Sequence, residues 1–187
     1  MNMSETRKSM TSVRCLTEGG ISVGLAVVLS YLKIPIMNGF GGFGGSIDLV
    51  MIPLIVYAVR WGMGWGIGAG LVFGTLKFFL GGKSIDWVSI IFDYSVAYAF
   101  VGFAGILRKK YSMMPAAALI GCLARFVVHF ISGITVYAKY VPEEFMGVTG
   151  ITPFVYSLLY NGTYMLPNTV IAVAVCAVLI PVVKRIK

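Results

Sequence analysis

The chain has 187 residues, 58% of them hydrophobic and only 12% charged. Soluble domains carry about 25% charged residues, so a soluble globular fold is excluded and the class is an all-α integral membrane protein. The net charge of +8 does not point to nucleic acid, because the basic residues cluster at the ends of apolar segments, where they fix membrane orientation.

A spanning helix needs about 20 apolar residues, fewer where protein shelters it. Six transmembrane helices are predicted, over 16–32, 47–60, 62–80, 87–107, 115–137 and 156–183, within one membrane domain spanning 1–187. Pro167 predicts a kink in the last. Residues 1–15 are polar and read as a cytoplasmic N-terminal segment rather than a cleaved leader. Arg7, Lys8, Arg14, Arg60, Arg108, Lys109, Lys110, Lys184, Arg185 and Lys187 fall on one side; Lys33, Lys83, Lys139 and Lys77 are counted to the other. By the positive-inside rule the N- and C-termini are both cytoplasmic. Loops 33–46, 81–86 and 138–155 are then outside. The first carries five glycines and two phenylalanines, which suits either a flexible connector or a lid over an outward-facing pocket.

Small residues recur at helical spacing. Gly20 and Gly24 form a small-xxx-small pair that either packs in the bundle or faces a partner protein. Gly62, Gly66, Gly70 and Gly74 form a stripe on the third helix, for which packing within the bundle is expected.

The costly residues are Asp93, Arg125 and His129, the chain's single histidine. Such groups inside a membrane line a cavity or pair with one another. Gly121, Arg125, His129, Gly133 and Tyr137 share one face of the fifth helix. Asp86, Ser89 and Asp93, with Tyr94 beside it, give the fourth helix a polar face; Tyr156, Tyr160 and Tyr164, with Asn161 and Asn168, do the same for the last. One reading is an internal Asp93–Arg125 pair with a hydrogen-bonded core histidine. The other is a three-walled site for a flat organic cation, with a carboxylate among aromatic rings. In that reading His129 and Tyr137 contact ligand, while Arg125, a turn deeper, holds Asp93 ionised and in place.

Catalytic signatures are weak. The three cysteines show no metal spacing, and the run LGGKS (80–84) has Lys77 where a phosphate-binding loop needs glycine. The sequon at Asn161 lies within an apolar segment and is discounted.

The runs LTEGG (16–20), GSIDLVMIP (45–53), RWG (60–62), FDYSVA (92–97), RFVVHFISG (125–133) and YSLLYN (156–161) resemble the thiamine-specific S-components, the substrate-binding membrane subunits of energy-coupling factor (ECF) vitamin transporters. The resemblance spans nearly the whole chain. It implies a multi-pass protein of the bacterial plasma membrane that captures thiamine from outside, without catalysis or cofactor. It also implies partners: a transmembrane coupling subunit and two cytoplasmic ATPase subunits. By motif, the ligand set is Asp93, Tyr94, His129, Tyr137, Tyr156 and Asn161, with Arg125 at a position that is lysine in some members and Phe43 as the loop aromatic. Tyr137 stands where some members have a stacking tryptophan. Gly20 and Gly24 occupy the coupling-subunit contact, where alanine is usual. Alternatives are an S-component for another vitamin or precursor, an intramembrane enzyme using His129 with Asp93, and autonomous secondary transport.

A cysteine placed at position 109 is expected to react with a membrane-impermeant reagent only after cells are opened. Labelling from outside would invert the topology.

Overall fold

The computed structural model describes residues 3–36 and 44–185. Its helices are α1 (Met3–Tyr31), α2 (Met51–Trp61), α3 (Met63–Phe79), α4 (Trp87–Leu107), α5 (Met114–Thr135) and α6 (Pro153–Arg185). Two short antiparallel hairpins lie in the connections. β1 (Ile34–Pro35) pairs with β2 (Ser46–Ile47), and β3 (Glu144–Phe145) pairs with β4 (Val148–Thr149). Four helices have the length and apolarity to cross a membrane, and α2 and α3 are shorter. At 1.5 Å per residue, α2 reaches only about 16 Å, half a hydrocarbon core. Most of it is buried inside the bundle instead.

All six predicted helices are present, with shifted ends. α1 begins at Met3, well before residue 16, so most of the predicted N-terminal segment is helical. α2 and α3 are separated only by Gly62, whose φ of 105° suits glycine, and its N–H still donates to the Ala58 carbonyl at 2.7 Å. α5 ends at Thr135, so Tyr137 lies just beyond the helix, on a turn in which its N–H bonds the Ser132 carbonyl. α6 runs through Pro167 and Pro181 as one helix.

The α3 glycines bring two helices into backbone contact. A Cβ on Gly70 would fall on the Tyr98 carbonyl, and one on Gly74 on the Tyr94 carbonyl. Gly102 and Gly105 on α4 answer with equally close approaches to the backbone of Ile67 and Met63. Of the predicted stripe, Gly66, Gly70 and Gly74 therefore pack in the bundle, while Gly62 is the hinge.

α4 is not a uniform helix. Asp86 caps it, accepting from the Ser89 N–H at 2.8 Å, so Asp86 is a capping residue and not part of a polar binding face. The next turns, Ile91–Val96, are π-helical. This wider coil carries Asp93 and Tyr94, and such segments often mark functional sites.

α1 packs one face, through Cys15, Val23 and Ala26. Glu18 holds it to α2: its carboxylate accepts from Trp61 Nε1 at 2.7 Å and Arg60 Nη2 at 3.0 Å. At Gly20 and Gly24 nothing lies within 4 Å of where a Cβ would stand, so neither packs against the bundle.

Gly70→Ala is expected to lower the thermal midpoint of the purified protein, through overpacking of about 1–3 kcal/mol. Gly68→Ala, with no neighbour in reach, should leave it unchanged or raised. Equal midpoints for the two variants would contradict the α3–α4 contact.

Candidate functional site

At the end of the bundle away from both termini, a cavity of about 370 Å³ opens between the helices. Its mouth is set by the chain after α1 (Lys33, Pro35) and by the α3–α4 turn (Gly81–Lys83). Its volume falls within the range of about 300–1,000 Å³ typical of small-molecule sites.

The π-helical turns of α4 aim Asp93 at α5. His129 Nδ1 lies 3.3 Å from Asp93 Oδ1, and the Tyr137 hydroxyl donates to Oδ2 at 2.7 Å. Arg125 does not reach Asp93. Its Nε donates to His129 Nε2 at 3.3 Å and its Nη2 to the Tyr98 hydroxyl at 3.0 Å, with the guanidinium 4.1 Å above the Tyr98 ring centroid. The expected direct Asp93–Arg125 pair is thus replaced by a relay with the imidazole between the two charges. The physical reason is spacing: His129 follows Arg125 by one turn on α5 and stands between it and Asp93, while Arg125 itself meets α4 a turn further on, at Tyr98.

This geometry sets the imidazole tautomer. A guanidinium can only donate, so Nε2 accepts and is unprotonated; Nδ1 then carries the proton toward the carboxylate. Both ring nitrogens are engaged, which leaves His129 no basic lone pair for general-base chemistry.

α5 and α6 meet where Gly133 lets Ser157 approach. Asn161 lies there with its amide engaged: Nδ2 donates to the Ser157 carbonyl at 2.9 Å, and Oδ1 accepts from the Tyr164 hydroxyl at 2.8 Å. Tyr156 stacks edge-on against Phe145 at 4.9 Å and lines the cavity. Tyr94 also lines it, with its hydroxyl bound to the Lys83 backbone on both N–H and carbonyl.

A second charged cluster forms the cavity floor. Lys77 Nζ donates to Asp48 Oδ2 at 3.1 Å and to the Tyr98 hydroxyl at 2.6 Å. Lys77 is therefore an interior residue and not a topological charge of the outer side.

The structure brings Asp93, Tyr94, Arg125, His129, Tyr137, Tyr156 and Asn161 to one cavity. Gly121 of the α5 stripe packs against Val101 and Ala104 of α4 instead. Phe43 lies outside the described residues. Asp48, Lys77 and Tyr98 also line the cavity and were not singled out by sequence as binding residues; Tyr160 and Tyr164, placed by spacing on the polar face of the last helix, line it too. Asp48 and Lys77 were detectable as lone charges in apolar runs; their pairing, across different elements, was not. Among the described residues no His, Cys, Asp and Glu group could hold a metal ion.

Fold and cavity together define a multi-pass membrane protein with a polar, aromatic-lined chamber of ligand size. The sequence profile of the family described as "Thiamine transporter protein" matches residues 16–187, and the chain belongs to that family. It is 30% identical over 157 residues to the thiamine transporter ThiT of Bacillus subtilis, covering 76% of this chain and 79% of that protein. It is 28% identical over 188 residues to ThiT of Lacticaseibacillus paracasei, covering 91% and 89%. The solved structure of ThiT from Listeria monocytogenes shares the fold at a TM-score of 0.79 and 24% identity, over 94% of this chain and 97% of that one.

Because the chain has one histidine, its ¹⁵N spectrum reads the relay directly. At neutral pH the neutral, Nδ1-protonated imidazole is expected. An Nε2–H tautomer would contradict the Arg125–His129–Asp93 arrangement.

Proposed function

We propose that this chain is the substrate-binding S-component of an ECF transporter and captures thiamine in the cavity between α4, α5 and α6. The observation that carries this reading is Asp93: a carboxylate fixed by His129 and Tyr137 inside a chamber lined by tyrosines. Thiamine offers the complement. Its aminopyrimidine has an N–H₂ that a carboxylate accepts, and its thiazolium is a delocalised cation that aromatic faces attract by about 0.5–2 kcal/mol per ring. Tyr94, Tyr137 and Tyr156 supply the faces, and Arg125 holds the relay from below. Asn161 contributes by shaping the α5–α6 wall, and its amide can exchange partners on binding. Phe43 is included in the ligand set as the loop aromatic that the family resemblance implies.

Capture from outside follows from the positive-inside orientation, which puts both termini in the cytoplasm and the cavity mouth on the opposite face. Gly20 and Gly24, with open space around them, form the contact for the transmembrane coupling subunit, and two ATPase subunits drive release from the cytoplasmic side. The chain itself performs no chemistry: the imidazole that an enzyme reading would need is committed on both nitrogens.

Calorimetric titration of the purified chain with thiamine is expected to show saturable binding in the micromolar range or tighter. Asp93→Ala should weaken it by the ~1.5–3 kcal/mol of a hydrogen bond to a charged group, about tenfold or more. Absence of saturable binding would overturn the reading, and unchanged affinity in the variant would remove Asp93 from the site.

A further inference from the structure

The chain entering α2 is held as a cavity wall by contacts from two sides. From α6, Asn168 Nδ2 donates to the Ser46 carbonyl at 2.8 Å, Asn168 Oδ1 accepts from the Asp48 N–H at 2.8 Å, and the Tyr160 hydroxyl donates to the Gly44 carbonyl. From α3 there is one ion pair, Lys77–Asp48, at 3.1 Å, with side-chain exposures of 18% and 3%. Gly44, Gly45 and Ser46 line the cavity, as do both members of the pair.

The pair also reaches the opposite wall. Lys77 and Arg125 both donate to the Tyr98 hydroxyl. Gly70 and Gly74 make this possible, since their lack of a side chain lets α3 approach α4 closely enough for Lys77 to meet Tyr98. A single ammonium therefore ties α3 to the segment after β2, to α4 and, through one hydroxyl, to the guanidinium on α5.

We propose that Asp48 and Lys77 are a positioning pair for ligand retention: they fix the 44–48 segment as a wall of the cavity and, through Tyr98, hold Arg125 at its floor. Neither residue need touch the ligand for this. The retention arm rests on the thiamine reading above; the wall-fixing arm does not.

The competing possibility is a pair that only braces the fold, and charge balance separates the two. Removing one partner of a buried pair strands a charge and is destabilising, whereas removing both with neutral residues of similar size is often neutral. Stability should then follow charge balance, while retention should follow the lost hydrogen bonds. The variants are Lys77→Met, Asp48→Asn and the double variant, in the full chain. Each is read by thermal midpoint without ligand, by deuterium uptake over 44–48, and by the dissociation rate of labelled thiamine.

Both single variants are expected to lower the midpoint, and the double variant to regain most of it. All three should exchange faster over 44–48 and release thiamine about tenfold faster or more. A double variant with unaltered uptake over 44–48 and an unaltered dissociation rate would show that the pair only braces the fold, and would overturn the proposal. If the unaltered chain failed to bind thiamine, the functional reading would fall, while deuterium uptake would still decide whether the pair fixes the wall.

Discussion

A charge inside a membrane-embedded bundle is tolerated only where other protein groups meet its hydrogen bonds. That constraint organises this molecule. Asp48, Lys77, Tyr98, Arg125, His129, Asp93 and Tyr137 form one connected chain of polar contacts, and each link but Arg125–His129 joins different elements. Carboxylates stand near its two ends, cations in the middle. With Lys77 paired to Asp48, the opposite charges of Arg125 and Asp93 stay apart across a neutral imidazole. The result is a polar cavity whose charges are largely met by protein groups, with Arg125 Nη1 left without a hydrogen-bond partner among the described residues, and which presents a carboxylate and several ring faces to whatever enters.

Backbone geometry makes that chain possible. Glycines on α3 and α4 bring the two helices closer than side chains would allow, which carries Lys77 to Tyr98. The π-helical turns of α4 then rotate Asp93 toward α5. On α5 the four-residue step stacks Arg125 under His129, so the cation meets the imidazole before it can meet the carboxylate. The exposed half of α1 stands apart from all of this, held to α2 by Glu18 and presenting its small residues outward. The proposed ligand site and the proposed partner contact therefore lie on different parts of one small bundle.

Much of this was legible in the residues. Six apolar runs predicted six helices, and the family resemblance agrees with the family match. Asp93 and His129 stood out because ionisable residues are costly in apolar segments, and four-residue spacing placed Arg125 and His129 on one face. What spacing could not show was which groups pair between helices. The direct Asp93–Arg125 pair was a reasonable expectation from charge alone, but the imidazole intervenes, which only the packing of α5 against α4 shows. Lys77 looked like a topological charge because a lone lysine near a helix end usually is one; only the close α3–α4 packing makes it a floor residue. Asp86 looked like a neighbour of Asp93 on a regular helix, but it is a cap, and the π-helical turns break the seven-residue register between them.

In the proposed function, Asp93, held between His129 and Tyr137, is where this cavity engages thiamine. A crystal structure of the chain with thiamine bound tests it most directly. The expected result is the aminopyrimidine amino group within about 3 Å of an Asp93 carboxylate oxygen, a normal hydrogen-bond distance, with the thiazolium against tyrosine faces. Thiamine bound elsewhere, with Asp93 still engaged only by His129 and Tyr137, would contradict it.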